Sequence, residues 1–219
     1  MPALSYHHVF EPGSDLPAEA SAKAGPAAPP LLLLHGTGGN ETDLLRLGRT
    51  LSPGSALLSP RGDVSEGDAR RFFARLAEGV FDPAEVTRRT HGLADFIAAA
   101  AKAYGFDAAR LTAVGFSNGA NIAATLLLLR PESLGAAVLF RPMVVLDQPA
   151  APGSLAGKRV FIANGSVDPL VPADHPPRLA ALLRAGGADV TLHLQTASHG
   201  LVPGDIAAAQ AWFQTGRQK

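Results

Sequence analysis

Short apolar runs alternate along the chain with longer segments in which apolar residues recur every three or four positions. The runs lie at 31–34, 55–58, 111–114, 136–140, 159–163 and 190–194. They are too short for helices and apolar enough for strands buried on both faces. Helical spacing covers 41–51, 68–76, 83–104, 118–129, 176–185 and 205–213. The clearest of these is opened by Asp82 as a cap, with Pro83 at the first helical position. Residues 5–10 read as an edge strand. The Pro-, Ala- and Gly-rich stretch 11–30 reads as a loop rather than a linker, since so little chain precedes it. Strand–helix alternation predicts a single α/β domain over 1–219, its mostly parallel central sheet covered by helices on both faces. Active sites on such sheets gather at the carboxyl ends of the strands.

Composition narrows the function classes. The 219 residues are 47% hydrophobic and 17% charged, which suits one packed domain. Nineteen basic residues balance nineteen acidic ones, so no bulk charge draws in nucleic acid or an anionic membrane surface. With no cysteine, disulfides, thiolate catalysis and Cys-based zinc sites are excluded together. The first residues show no basic segment leading into an apolar one, and no apolar run reaches membrane-spanning length. The expectation is a cytoplasmic protein without stable membrane association.

Chemistry enters at Gly115-Phe116-Ser117-Asn118-Gly119. The segment closes an apolar run and opens a helical one, the context in which G-x-S-x-G forms a nucleophile elbow. The turn is so tight that side chains at the flanking glycines would strike the neighbouring strand or helix. It lifts the serine hydroxyl above the sheet edge, at the positive end of the following helix. The competing reading is a Gly/Ser turn at an ordinary helix start.

A serine nucleophile needs a base and a carboxylate to orient it, in the chain order Ser, Asp or Glu, His. Asp168 lies in a loop just beyond the strand at 159–163. Asp147 and Asp174 are competitors in loops with less definite strand context, and Asp189 sits at the wrong end of its strand. The base is read as His199, which follows the strand at 190–194 by a short loop and precedes the last helix. Of the other histidines, His7 and His8 lie at the N-terminal edge and His35 precedes the serine. His91, His175 and His193 fall within or at the start of regular elements. No metal-ligand spacing appears among them. For the oxyanion, the backbone N–H of Asn118 is one expected donor. The other is expected from Thr37, in His35-Gly36-Thr37-Gly38-Gly39; that loop has neither the lysine nor the glycine spacing of a phosphate loop.

Taken together, these motifs and Ser198-His199-Gly200 resemble the phospholipase/carboxylesterase branch of the α/β-hydrolases, which includes the acyl-protein thioesterases. Ser59-Pro60-Arg61-Gly62, the segment 71–82 and Phe140-Arg141-Pro142-Met143 are similar to its MhqD-type subgroup of bacterial esterases. The resemblance implies an α/β-hydrolase fold and a Ser117–His199–Asp168 triad with Thr37 and Asn118 amides as oxyanion donors. It also implies a cofactor-free enzyme that is often a homodimer, some members being linked to quinone resistance. Dienelactone hydrolases, to which other members are likened, use a cysteine nucleophile, and by this reading that label fits the chain badly. Acyl-protein thioesterases usually carry Gln at the position of Asn118 and lack the Phe72-Phe73 segment.

Specificity is expected between the strand ending at Ser59 and the long helix. Phe72, Phe73, Leu76 and Phe81, with Met143, are read as walls of an apolar cleft, against the alternative of core packing. Arg61 and Arg141, in loops after strands, are read as able to meet an anionic group or to pair with Glu78 or Asp82. The leading expectation is a serine carboxylesterase acting on small or aromatic esters, since no large lid insertion is visible. Thioesters or quinone-derived compounds on the same triad, and a non-catalytic binding protein, are the alternatives.

Overall fold

A computed structural model describes residues 4–14 and 28–216. Most of the stretch read as a loop at 11–30, residues 15–27, lies outside the described residues. Among them, one seven-stranded sheet is built from β1 (His8–Glu11), β2 (Leu31–Leu34), β3 (Leu57–Pro60), β6 (Thr112–Phe116), β7 (Ala136–Phe140), β8 (Arg159–Gly165) and β9 (Asp189–Gln195). A separate hairpin pairs β4 (Val64–Glu66) with β5 (Ala69–Arg71). The helices are α1 (Leu45–Leu51), α2 (Pro83–Tyr104), α3 (Asn118–Leu129), α4 (His175–Ala185) and α5 (Pro203–Gly216).

The strand order is β1-β3-β2-β6-β7-β8-β9, with β1 antiparallel to β3 and every other pairing parallel. From β2 the chain steps outward to β3, then returns past β2 to β6, so the winding reverses between β2 and β6. Loops diverge at such a point and leave a crevice above the strand ends. Leu34 pairs with Gly115 and Phe116 with Phe140, which brings the carboxyl ends of β2, β6 and β7 level.

Alternation along each strand divides the core in two. Leu32, Leu34, Ala113, Leu139 and Ile162 pack beneath α2, α3 and α4, while Leu31, Leu33, Val114, Val138 and Phe161 pack against α5 and the end of α1. Helix α3 runs under the centre of the sheet and is buried almost all round, which explains its nearly unbroken apolar sequence. Helix α2 starts where Asp82 accepts the Ala84 N–H at 2.9 Å and stops at Gly105, whose φ of 72° suits a left-handed cap.

The expected elements recur with small shifts of boundary, save one. Residues 68–76 are not a helix. Gly67, with φ of 57°, makes a two-residue turn that folds Val64–Glu66 back on Ala69–Arg71, and the chain then turns inward at Phe72. The apolar residues that suggested a helix, Phe72 and Phe73, follow the hairpin's second strand and enter the core from an inward turn instead. The start of α1 also moves, from 41 to 45, because Asn40 Oδ1 takes the Thr42 N–H at 2.8 Å and holds the intervening residues in turns.

Candidate active site

Four loops meet above the reversal point. The first is the elbow between β6 and α3. Ser117 has φ 51° and ψ −115°, a costly conformation for a non-glycine residue. Its amide donates to Phe140 O at 2.9 Å, and its carbonyl accepts the Asn121 N–H at 2.9 Å. A Cβ on Gly115 would come within 2.5 Å of Gly119 O, and one on Gly119 within 2.0 Å of Leu34 O. Both contacts are too short for any side chain, so the flanking glycines are required for α3 to leave the sheet this steeply.

The second and third loops follow β8 and β9. Asp168 Oδ1 accepts the N–H groups of Leu170 at 2.8 Å and Val171 at 3.3 Å, which leaves Oδ2 for His199 Nδ1 at 2.8 Å. The Asp168 side chain is fully buried and that of His199 is 20% exposed. Because an ionised carboxylate only accepts, Nδ1 carries the imidazole proton and Nε2 presents its lone pair. Ser117 Oγ lies 2.9 Å from that Nε2, placed to donate its hydroxyl proton. The structure thus brings together three residues that the sequence separates by 51 and 31 positions.

The fourth loop follows β2. His35 is buried, accepting the Gly62 N–H on Nε2 at 2.9 Å and donating from Nδ1 to Gly36 O at 2.7 Å. Burial keeps the ring below the ordinary imidazole range, consistent with a neutral form that uses one nitrogen in each role. In this loop the Gly38 amide donates to Arg70 O and the Gly39 amide to Gly36 O. Thr37 lines the cleft, and its hydroxyl accepts from Arg71 Nη1 at 2.6 Å. Asn118 opens α3, in the first turn where amides lack acceptors within the helix.

The cleft is a cavity of about 220 Å³. Phe81, Phe116, Met143 and Leu170 supply apolar wall, and Arg71, Arg75 and Glu78 give one side a charged rim. Met143 lines the cleft beyond the carboxyl end of β7. Phe72, Phe73 and Leu76 do not: both phenylalanines are wholly buried in the core beneath the sheet, and Leu76 is 73% exposed on the outer turn. Once 68–76 is a hairpin and inward turn, it is Arg71 that faces the cleft. Arg61 and Arg141 are likewise corrected. Arg61 grips Glu41 through two hydrogen bonds of 2.5 and 2.6 Å, holding that carboxyl down at about 2, while Arg141 is fully buried against Asp205.

Sequence reasoning passed over Asn121. Its Oδ1 accepts the Met143 N–H at 2.8 Å, as Asn118 Oδ1 accepts the Phe72 N–H at 2.7 Å. Two asparagines three apart on one face of α3 therefore fasten both side walls to the elbow helix. A signal was available, because a second amide three residues on in an otherwise apolar helix calls for a buried partner.

A model of the dienelactone hydrolase family matches residues 21–212. A Bacillus subtilis (strain 168) protein named as a hydrolase, MhqD, is 45% identical over 184 residues, spanning 84% of this chain and 92% of that protein. The crystal structure of a Bacillus cereus carboxylesterase superposes with a TM-score of 0.89 at 42% identity, over 96% of this chain and 94% of the other. A carboxylesterase from Mesorhizobium loti gives 0.78 at 36% identity, over 84% and 87%. Setting the dienelactone label aside for want of a cysteine is thereby corrected at the level of family: the match extends over nearly the whole chain, whatever residue occupies the elbow.

Proposed function

The chain belongs to the dienelactone hydrolase family and has the α/β-hydrolase fold, and from that footing we propose that this hydrolase is a serine carboxylesterase cleaving small or aromatic esters through an acyl-enzyme. One observation carries the reading: the unbroken relay from Ser117 Oγ through His199 to Asp168, with steps of 2.9 and 2.8 Å, at the floor of a cleft.

In this mechanism Ser117 Oγ attacks the ester carbonyl carbon while its proton passes to His199 Nε2. Asp168 stabilises the imidazolium without taking the proton. The carbonyl oxygen becomes an oxyanion held by the Thr37 and Asn118 amides, the term on which such reactions depend most. As the tetrahedral intermediate collapses, the C–O bond to the alcohol breaks and His199 returns its proton to that oxygen. Water then repeats the sequence, giving up a proton to His199 as it attacks the acyl carbon. Ser117 leaves with that proton, and the carboxylic acid is released.

The cavity, about 220 Å³, is smaller than the roughly 300–1,000 Å³ usual for ligand sites, which favours short acyl groups over long lipid chains. The apolar wall of Phe81, Phe116 and Met143 would accept an aromatic ring. Hydrolysis of p-nitrophenyl esters from C2 to C12 tests the reading. Activity is expected to peak at short chains and to vanish in Ser117→Ala, with a fluorophosphonate probe labelling only the wild type. Absence of both turnover and labelling in the wild type would overturn it.

A further inference from the structure

Arg141 is wholly buried, carries a φ of 56°, and lies in the loop immediately after β7. Its guanidinium satisfies all five of its N–H groups: Nε to Ser198 O at 3.1 Å, Nη1 to Ala163 O and Asp205 Oδ1 at 3.1 Å each, and Nη2 to Gly200 O at 2.9 Å and Asp205 Oδ2 at 2.6 Å. The carbonyls of Ser198 and Gly200 bracket His199, so one rigid, planar group holds the peptides on both sides of the base.

Asp205, also wholly buried, is in turn held by four hydrogen bonds. Besides the two from Arg141 it accepts from Gln195 Nε2 at 2.5 Å and from the Val202 N–H at 3.0 Å, thereby gripping both ends of the loop that bears His199. Burial pushes its carboxyl up, but the bonds from Arg141, Val202 and Gln195 outweigh this and keep it below the ordinary carboxylate range. On the other side, Phe140 O accepts the Ser117 N–H at 2.9 Å. The neighbours Phe140 and Arg141 therefore each hold one partner of the proton transfer, the nucleophile through a backbone bond and the base through the guanidinium.

A buried ion pair seldom adds net stability over apolar packing, and a left-handed φ at a non-glycine residue carries its own cost. Stability alone explains this arrangement poorly. We propose that Arg141, anchored by Asp205, is the positioning residue that sets His199 Nε2 at hydrogen-bonding distance from Ser117 Oγ. The proposal rests on the serine-esterase reading above and extends it to the fold's means of holding the base. Lysine cannot replace arginine here, because three donors on a single nitrogen cannot make the five bonds that reach three carbonyls and both oxygens of a carboxylate.

The test compares Arg141→Lys and the double variant Arg141→Met/Asp205→Asn with wild type, on the short-chain p-nitrophenyl ester that the wild type turns over fastest. The double variant removes the buried charge together with its partner, so its fold is not left with an unpaired ion. The expected result is a kcat lowered roughly 100-fold, the scale of a 1 Å misplacement, with KM changed less than about threefold and a matching fall in the rate of fluorophosphonate labelling. Thermal unfolding close to wild type in either variant shows that the loss is one of positioning. Wild-type kcat in either folded variant overturns the proposal, as does failure of both to fold, which would give the pair a role in stability alone. Absence of turnover and labelling in the wild type would instead defeat the esterase reading itself, so the two failures are distinguishable.

Discussion

Asn118 accepts the backbone N–H of Phe72 on its side-chain oxygen at 2.7 Å, which ties the segment carrying Arg71 to the helix that begins behind the nucleophile. The bond fixes the orientation of the amide, because only the oxygen can accept, and it leaves Asn118 Nδ2 buried without a partner among the described residues. A group that stays unsatisfied while its other half makes a short hydrogen bond points to the wall contact as the side chain's main task.

Asn118→Ala is accordingly expected to keep the backbone amide in place and loosen the wall. The Phe72 N–H then loses its acceptor, at a cost of about 1 kcal/mol in chemical denaturation, part of it offset by removal of the orphaned Nδ2. Asn118→Asp keeps an acceptor for Phe72 but sets a negative charge beside the place proposed for the oxyanion. Its kcat is expected to fall further than that of the alanine variant, although its stability is better retained. Steady-state kinetics and denaturation on the same preparations separate the two effects.

The two oxygens of Asp168 have different duties, since Oδ1 receives the Leu170 and Val171 amides and Oδ2 faces His199. Asp168→Asn can keep its carbonyl oxygen toward the loop amides only by turning its NH₂ toward Nδ1. The imidazole must then carry its proton on Nε2, the wrong tautomer for accepting from Ser117. A loss of roughly 10⁴-fold in kcat is expected, with the fold preserved, by analogy with other triads. Circular dichroism and single-turnover acylation would check it.

Met143 is fastened through its N–H to Asn121, while its side chain lines the cleft. Met143→Ala should therefore enlarge the pocket without moving the loop. The optimum acyl length in the p-nitrophenyl series is expected to lengthen, and activity on the shortest esters to decline several-fold. An unchanged chain-length profile would remove Met143 from the acyl-binding wall.

His35 and His175 both have rings held below the ordinary imidazole value of 6.5, mainly by burial, and His175 Nδ1 accepts the Val144 N–H at 3.1 Å. Below that value the unfolded chain takes up protons that the folded one refuses, so stability is complete at neutral pH and declines as pH falls through 6.5. Each group contributes at most about 1.4 kcal/mol per pH unit. Thermal melts between pH 7.5 and 5 should show the decline. His35→Gln should melt lower at neutral pH, yet with a flatter dependence; an unaltered slope would show that His35 is not one of the groups responsible.

The alternation of apolar runs with helical spacing was enough to specify the parallel sheet, because burial on both faces leaves such strands no polar alternative. The glycines around Ser117 were legible for a similar reason: a turn in which a Cβ would approach Leu34 O to 2.0 Å leaves few residue choices. Asp168 and His199 were expected from chain order and from their places after strand ends, and the fold sets both in one hydrogen-bonded line with Ser117. The lining of the cleft could not. Phe72 and Phe73 have the composition of a pocket wall, but the turn at Gly67 sends them into the core and presents Arg71 instead. Arg141, in sequence one more cation in a loop, became a clamp on His199 only when β7, β8, the loop after β9 and helix α5 were brought together. Local sequence governs what a backbone segment can become. Which side chain faces the substrate depends on contacts between segments far apart in the chain, and only the folded structure brings those together.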